Sequence, residues 1–170
     1  MHTFQPVPEE YFKENPFEMI GKQWMLITAM KDNKVNTLTA SWGGLGYMWG
    51  KDAAYIVIRN SRYTKEFVDS ADTFSMCFFD EKYRPAMKYI GSVSGRDEDK
   101  IANARLKVQL HEGTETPFFD EARMVLICRK MYAGQLDKKN FLMPDIQEKW
   151  YKNEDYHVLY IGEVLSIMAR

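Results

Sequence analysis

The chain has 170 residues, of which 23 are lysine or arginine and 24 are aspartate or glutamate, so its formal net charge is −1. This length fits a single domain with a substantial buried core. The balanced charge argues against a general nucleic-acid binder, because such proteins need excess positive charge against phosphates. We expect the two cysteines, Cys77 and Cys128, to be buried apolar residues in a reducing compartment. A disulfide between them is possible but unsupported.

The N-terminal residues 1–16 contain three prolines and no apolar stretch of signal-peptide length. No window approaches the roughly 18 apolar residues of a membrane-spanning helix. The sequence therefore predicts a cytoplasmic protein that binds neither membrane nor nucleic acid. Aromatic residues make up 14% of the chain. We expect some of these rings at a subunit contact or around a planar ligand, although an aromatic-rich core explains any single ring equally well.

The first half of the chain predicts four strands and one helix. The predicted strands are residues 23–30, 35–42, 53–59 and 73–79, and the first two form a hairpin around the polar turn 31–34. A short helix is predicted over residues 63–71, because Tyr63, Phe67 and Ala71 recur every four residues. This half is therefore mainly β.

The second half predicts three helical segments and up to three strands. The helical segments are residues 85–90, 97–105 and 141–151, and the strands are residues 107–110, 121–132 and 156–168. Residues 121–132 suit either state, and we favour a strand because they have neither cap nor amphipathic period. Gly162 predicts a bulge or a close approach within the last strand. About six main strands joined by turns predict a mainly β, mostly antiparallel barrel in one domain.

Residues 36–46 (NTLTASWGGLG) are the most unusual part of the chain. They combine small hydroxyl side chains, one large aromatic residue and three glycines. Glycine lets a backbone come close to a ligand, but it leaves a strand with less side chain to pack. A stable barrel wall does not require this composition, so the segment predicts a binding site.

Two further segments, residues 59–65 (RNSRYTK) and 92–100 (SVSGRDEDK), each lead from a loop into a predicted helix. Backbone N–H groups at a helix start favour an anion, and arginine adds a forked donor. Each segment alone is explained at least as well by a solvated corner with helix caps. The case for an anion site depends on both segments converging on the strand that carries Thr39 and Ser41.

The sequence lacks the motifs of several kinds of catalytic site. No His, Cys, Asp and Glu spacing suggests a metal site, and there is no Gly-x-Ser-x-Gly elbow or Walker loop. Gly44 and Gly46 begin a dinucleotide-like pattern, but Trp49 replaces the third glycine. His157, inside the last strand, is expected to be a structural histidine. We therefore predict no catalytic side chain and no metal, which suits a cofactor that brings its own reactivity.

Residues 36–44, 62–64 and 92–100, in this order and at these intervals, resemble the flavin reductase-like family, and within it the flavoredoxin-type branch. The resemblance covers residues 20–168. It implies one domain over residues 1–170 with an N-terminal extension at 1–19. The implied fold is a six-stranded antiparallel split β-barrel, Greek-key-like, which forms a homodimer and holds FMN near the subunit contact.

The resemblance also implies a set of cofactor-binding residues drawn from all three segments. These are Asn36, Thr37, Thr39, Ala40, Ser41, Trp42, Arg62, Tyr63, Thr64, Ser94, Arg96 and Lys100. Trp42 would stack on the flavin ring or wall it off, while Arg62, Thr64 and Lys100 would hold the phosphate or the polar edge of the ring. Ser94 and Arg96 are weaker candidates, and Arg59 is weaker still. The family's contacts from its C-terminal third are not carried over to residues 133–155, because these residues show no distinct motif.

The function implied is reduction of FMN, rather than FAD, by NADH or NADPH, with electrons passing to a small-molecule or protein acceptor. In that function Lys100 would stabilise the reduced ring near its N1/C2 carbonyl edge. An alternative is a flavoredoxin-type electron carrier that a protein partner reduces. A third possibility, a split barrel that has lost its flavin, is disfavoured by the retained Ser, Thr, Arg and Lys residues.

Overall fold

Residues 2–170, which the computed structural model describes, form ten β-strands and four α-helices. The strands are β1 (Gln5–Pro6), β2 (Met25–Lys31), β3 (Lys34–Ala40), β4 (Gly43–Met48), β5 (Lys51–Arg59), β6 (Thr73–Phe78), β7 (Val108–Leu110), β8 (Pro117–Phe119), β9 (Met124–Gln135) and β10 (His157–Ala169). The helices are α1 (Tyr63–Ser70), α2 (Arg84–Ser92), α3 (Lys100–Asn103) and α4 (Pro144–Trp150). A π-helix over Phe17–Gln23 precedes β2.

The main sheet has the strand order β3-β2-β6-β9-β10-β5-β4, with β1 paired to β10 and every pairing antiparallel. Its two end strands, β3 and β4, are consecutive in the chain and are joined only by Ser41 and Trp42. Three Cα–Cα steps span at most about 11 Å. The sheet must therefore curl until its ends approach each other, which gives an antiparallel barrel that is open between β3 and β4.

The hairpin of β2 and β3 forms as predicted, with Met25 opposite Ala40 and Lys31 opposite Lys34. Its two turn residues, Asp32 and Asn33, have φ values of 50° and 59°. This left-handed pair is the geometry of the type I′ turn, whose twist matches that of the strands. The strand ends at Ala40, two residues earlier than predicted, because the chain then crosses to β4.

Strand β4 was not predicted, so the curved path contains seven strands rather than six. Its glycines give it a weak strand signal, since glycine has no side chain to pack on a neighbouring strand. The ring of Tyr55 on β5 covers this gap, and a Cβ atom added at Gly46 would lie 3.3 Å from that ring. The Tyr55 side chain of the neighbouring strand β5 therefore supplies the packing that the glycines of β4 lack.

Alternation along the strands creates two apolar clusters. On β6, Phe74, Met76 and Phe78 point into the barrel interior, where fully buried Tyr160 also lies. Cys77 points to the opposite face, which α2 and the β7–β8 hairpin cover. Covering this face places α2 against β3, next to residues 36–42.

Other predictions from sequence are confirmed with changes in length. Helices α1 and α2 form where predicted, and residues 121–132 belong to a strand that continues to Gln135. The predicted helix at 97–105 shrinks to one turn, which Asp99 caps by accepting a hydrogen bond from the Ala102 N–H. The strand pairing shifts at Gly162, where a Cβ atom would lie 2.9 Å from Phe74. The predicted bulge and close approach therefore both occur there.

Cys77 and Cys128 are free and fully buried, as expected of apolar residues. Burial raises the pKa of the Cys77 thiol to about 11, which keeps it protonated and unreactive. Within residues 2–170, no helix is both long and apolar enough to cross a membrane. The described residues also contain no group of three or more His, Cys, Asp or Glu side chains that could hold a metal ion.

Candidate functional site

The candidate site begins with a cavity of about 260 Å³, here called the ring cavity, at the opening of the barrel. Its lining residues are Leu38, Thr39, Ala40, Ser41, Trp42, Val57, Ile58, Arg59, Arg62, Gly91, Trp150 and His157. One wall is the end of β3 with the link to β4, and the opposite wall is the end of β5. The cavity lies on the side of the barrel where β3 and β4 do not pair.

A second cavity, also of about 260 Å³ and here called the cationic cavity, adjoins the first. It is lined by Ser61, Arg62, Tyr63, Thr64, Ser92, Val93, Ser94, Arg96 and Lys100. Arg62 lines both cavities. The two basic segments do converge, as the sequence-based hypothesis required. The combined site has a largely uncharged end beside Trp42 and a positively charged end between α1 and α3.

Arg62 is the half-buried residue that precedes helix α1. Among the described residues, its guanidinium has neither an ion pair nor a hydrogen-bond acceptor. Burial lowers the pKa of this group without a compensating negative charge. The five N–H groups of the guanidinium can only donate hydrogen bonds. An anion bound here would accept them and stabilise the charge of Arg62.

Lys100 is 97% buried at the start of α3. Its Nζ donates to the carbonyl oxygens of Ile90 (3.2 Å) and Val93 (3.3 Å), near the end of α2. In the described part of the chain, no carboxylate lies within ion-pair distance of Nζ. Burial and the charge of Arg62 lower the pKa of this ammonium to about 8. Glu98 acts on Lys100 from beyond ion-pair distance and raises its pKa in part, so burial and Arg62 outweigh it. Two neighbouring cations without a directly bonded carboxylate favour an anion between them.

Asn36 and Thr64 do not line the ring cavity, although Thr64 lines the cationic cavity. The Asn36 amide donates to the Thr64 hydroxyl at 3.0 Å, and both side chains are buried. A Cβ atom at Gly95 would lie 2.4 Å from the Asn36 oxygen, so glycine is needed for this close approach. The bond joins β3 to α1, and Gly95 of the 92–100 segment lies close against Asn36.

Thr37 lies outside the candidate site, contrary to the sequence-based expectation. Its side chain is fully buried, and its hydroxyl donates to the Ile27 carbonyl at 2.9 Å. The Thr28 hydroxyl lies 2.9 Å from the Thr37 hydroxyl oxygen. Successive residues of a strand point to opposite faces, so Thr37 cannot share the face of its neighbours Asn36 and Leu38.

Thr39, Ala40 and Ser41 form the β3 wall of the ring cavity. The Thr39 hydroxyl donates to the Met87 carbonyl at 2.6 Å, which fixes β3 to helix α2. Ser41 is half-buried, and its hydroxyl has no hydrogen-bond partner among residues 2–170. Of these three residues, only Ser41 keeps its polar group free for a ligand.

Arg96 is paired and does not offer a free charge. Its Nη2 donates to Glu66 Oε1 at 2.7 Å, and its guanidinium lies 4.7 Å above the Tyr63 ring. Its backbone N–H donates to the Ser94 hydroxyl at 3.2 Å. Arg96 therefore clamps the 92–100 segment to α1, and Ser94 and Tyr63 line the cationic cavity beside it.

Trp42 lines the ring cavity. Its ring meets Trp150 edge to face at 4.8 Å between centroids and lies 5.1 Å from the ring of His157. The pKa of His157 falls to about 4 because of burial and the nearby Arg59, and its Nδ1 lies 2.8 Å from the Tyr151 hydroxyl. His157 is therefore neutral at pH 7 and structural, as predicted from its position in the last strand.

Arg59 holds the C-terminal segment rather than an anion. Its Nη1 donates to the Asp155 carbonyl at 2.8 Å, and its Nη2 donates to the Trp150 carbonyl at 3.0 Å. Its guanidinium also lies 5.2 Å from the Tyr151 ring centroid. These contacts place Trp150 at the mouth of the ring cavity.

Sequence reasoning missed several residues of the site, among them Val57, Gly91 and Trp150. Residues 133–155 carry no motif, so nothing in them pointed to Trp150. The available signal was the density of aromatic residues after position 140, where Phe141 and Tyr151 pack together at 5.4 Å. That signal predicts a cluster but not the cavity that the cluster borders.

The fold and the site together define an antiparallel split β-barrel with two neighbouring cations, Arg62 and Lys100, at its opening. A family model described as "Flavin reductase like domain" matches residues 18–170. The chain therefore belongs to this family.

Similar solved structures agree with this fold. An FMN-binding domain of a flavin reductase-like enzyme from Shewanella baltica is 18% identical, with a TM-score of 0.72 over 98% of this chain and 77% of that chain. A flavoredoxin from Methanosarcina acetivorans is 20% identical, with a TM-score of 0.68 over 87% and 68%. An NADH:FAD oxidoreductase from Streptomyces globisporus is 13% identical, with a TM-score of 0.64 over 87% and 75%. No functionally curated protein matches the chain.

Proposed function

We propose that this protein binds FMN across the two joined cavities and works as an NAD(P)H-dependent flavin reductase. The flat ring would lie in the ring cavity beside Trp42, and the phosphate would lie between Arg62 and Lys100. One observation carries the proposal: an unpaired, half-buried arginine adjoins a buried lysine that has no carboxylate partner in the described chain. Two such cations favour a doubly charged phosphate over a neutral ligand.

The residues present fit FMN in chemistry as well as in charge. Val57, Ile58 and Trp42 offer apolar and aromatic surface to a flat ring, and the free hydroxyl of Ser41 can pair with a polar group. Each cavity has about 260 Å³, and together they reach the range of small-molecule pockets, about 300–1,000 Å³. The names of the Shewanella and Streptomyces proteins support flavin as the ligand class.

When bound, the flavin would supply the redox chemistry, accepting a hydride from NADH or NADPH and giving the electrons to an acceptor. The contribution of the chain is to bind and orient. Arg62 and Lys100 fix one end of the ligand, and Trp42, held by Trp150, limits the tilt of the other. His157 is neutral and engaged with Tyr151, so we assign no side chain as acid or base.

An electron carrier that a protein partner reduces is the second candidate. The indole of Trp150 reaches from the ring cavity to the surface, where 43% of the residue is exposed. A partner protein that docked over Trp150 would come within a few ångströms of the cavity. The structural similarity to two flavoredoxins is consistent with this role.

We also propose a cytoplasmic homodimer. Support for the dimer comes from the exposed aromatic residues Tyr47 and Trp49 on the β4–β5 hairpin, at the open end of the sheet. Large exposed aromatic residues are enriched at protein interfaces. A second subunit there would cover the outer edge of β4, whose other edge pairs with β5.

The deciding experiment is an absorption spectrum of the purified protein, followed by chromatography of the released flavin. We expect FMN at one equivalent per chain, and rapid bleaching of the bound flavin by NADH or NADPH under anaerobic conditions. Flavin that stays oxidised with both nucleotides, but bleaches with reduced ferredoxin, supports the electron carrier instead. Protein that remains colourless after incubation with FMN and FAD overturns both functions.

A further inference from the structure

A third cavity, here called the acidic cavity, adjoins the cationic cavity on the side away from the ring cavity. It has a volume of about 450 Å³ and is lined by Lys34, Val35, Asn36, Gly95, Arg96, Asp97, Glu98, Asp99, Lys100 and Ile101. It shares Arg96 and Lys100 with the cationic cavity but no residue with the ring cavity. The three cavities therefore form a row, with the cationic cavity in the middle.

The side chain of Arg96 spans the boundary between the cationic and acidic cavities. Its Nη2 donates to Glu66 Oε1 at 2.7 Å, and its Nη1 donates to the Ser61 carbonyl oxygen at 3.3 Å. Its guanidinium lies 4.7 Å from the Tyr63 ring centroid. These contacts join the 92–100 segment to the start of helix α1, and together they are called here the Arg96 bridge. The bridge lies where a ligand would pass from one cavity into the other.

The charge of Arg96 is already compensated by Glu66, whereas Arg62 has no acceptor in the described chain. A ligand with a single phosphate can be held by Arg62 and Lys100 without disturbing this pair. A second phosphate further along the row would lie beside the Glu66 carboxylate or displace it from Arg96. Two anions at close distance repel each other, and breaking the ion pair removes a charge-assisted hydrogen bond.

The acidic cavity beyond the bridge also disfavours a further phosphate. Three of its lining residues carry carboxylates: Asp97, Glu98 and Asp99. Of these, only Asp97 has a side chain without a hydrogen bond or ion pair among the described residues. With Arg96 paired to Glu66, and Lys100 engaged by the first phosphate, Lys34 is the remaining cation of the lining. A second phosphate would therefore meet more negative than positive charge.

We infer that the Arg96 bridge and the acidic cavity determine which flavin the protein binds. They leave room for a flavin whose chain ends in one phosphate, and they disfavour one that continues through a second phosphate to adenosine. This inference rests on the proposed function, since it assumes that the flavin phosphate lies between Arg62 and Lys100. It adds Glu66 and Asp97 as specificity-determining residues, which act by repelling the larger ligand rather than by binding the smaller one.

The test compares the dissociation constants of FMN and FAD by calorimetric titration of the flavin-free protein. We expect the wild type to bind FMN at least about tenfold more tightly than FAD. Glu66→Gln keeps the size of the side chain but removes its charge, so the Arg96 guanidinium becomes available to the second phosphate of FAD. FAD affinity should rise about fivefold or more, while FMN affinity should change less than about twofold.

Asp97→Asn tests the acidic cavity separately from the bridge. Asp97 is exposed, so the substitution leaves the packing of the 92–100 segment intact. FAD affinity should rise about twofold or more, and FMN affinity should stay unchanged. Added salt should reduce the preference of the wild type for FMN, because it screens the repulsion between exposed charges.

The matched control is Glu18→Gln, which removes the carboxylate of another exposed ion pair. Glu18 Oε1 accepts from Lys22 Nζ at 2.7 Å, and its side chain is 46% exposed, like that of Glu66. It lines none of the three cavities, so the ratio of FMN to FAD affinity should not change. A wild type that binds neither flavin would refute the proposed function. FMN binding with equally tight FAD binding, or with a ratio that Glu66→Gln and Asp97→Asn both leave unchanged, would refute the specificity role alone.

Discussion

At the scale of single residues, the four arginine and lysine side chains near the site differ by their partners. Arg59 is bonded to two carbonyl oxygens and Arg96 to Glu66. Within the described residues, Arg62 has no acceptor, and Lys100 has only carbonyl oxygens. A cation whose charge is already compensated gains little from a further anion, whereas an uncompensated one gains much. Arg59 also donates only to carbonyl oxygens, but it does not line the cationic cavity, whereas Arg62 and Lys100 both do. The anion site is therefore assigned to Arg62 and Lys100.

Replacing either cation should weaken flavin binding. We expect Arg62→Ala and Lys100→Met each to raise the FMN dissociation constant about 10- to 100-fold, because a hydrogen bond to a charged group contributes about 1.5–3 kcal/mol. Fluorescence titration of the flavin-free protein measures the change. The matched control is Arg129→Ala, an exposed arginine on β9 that lines none of the described cavities. Unchanged affinity in both variants would show that the phosphate lies elsewhere.

The pKa of Lys100 predicts how flavin affinity depends on pH. The pKa is about 8 in the free protein, and a bound phosphate would raise it. Well below pH 8 the lysine is already charged, so affinity should fall by no more than about twofold between pH 7 and 8. Above pH 8 binding requires proton uptake, so affinity should fall by up to about tenfold per pH unit.

The pH prediction is measured by titrations between pH 7 and 9.5, where the phosphate charge is constant because its second pKa is about 6. Lys100→Met binds more weakly but should show no such fall. A wild-type affinity that is equally flat to pH 9.5 would mean that Lys100 does not face the anion.

At the scale of elements, the site depends on the two-residue link between β3 and β4. Gly43, the first residue of β4, has a φ of 151°, and a Cβ atom there would lie 2.4 Å from the Tyr55 carbonyl oxygen. No side chain can be added without moving the backbone of β5. Because Trp42 directly precedes Gly43, a shift of the backbone at Gly43 would also displace Trp42 in the ring cavity.

We therefore expect Gly43→Ala to destabilise the protein by about 1–3 kcal/mol and to weaken flavin binding as well. Urea unfolding measures the first effect and flavin titration the second. The control Gly44→Ala places its Cβ 3.6 Å from the Tyr55 ring, an ordinary contact, and should cost less. Equal stability of the two variants would contradict the argument from close approach.

At the scale of the whole molecule, β4 is the end of the sheet and carries exposed aromatic residues. Tyr47 is 72% exposed and Trp49 is 57% exposed, in the hairpin that joins β4 to β5. Light scattering should give about twice the chain mass of 20.0 kDa. Trp49→Glu should lower that mass toward one chain, because it places a charge in the centre of an apolar contact. A wild-type mass of one chain at micromolar concentration would refute the dimer.

The sequence determined those parts of the protein that depend on neighbours along the chain. Turn chemistry at Asp32 and Asn33 specified the first hairpin, and apolar periodicity specified α1. Strand β4 was missed because its glycines carry little pattern, and the residue that completes it, Tyr55, belongs to another strand. The segments 36–46, 59–65 and 92–100 were identified because local composition there departs from what packing requires.

Only the tertiary structure decided which residues of those segments face a ligand. Thr37 and Ser41 are both small hydroxyl residues of the same segment. The Thr37 hydroxyl is buried and donates to the Ile27 carbonyl, whereas Ser41 lines the ring cavity with its hydroxyl free. Arg59 is separated by 96 residues from Asp155, whose carbonyl it binds. Partners so distant in the chain leave no local signal, because the charge and hydrogen-bond balance of a side chain is settled only when the chain folds.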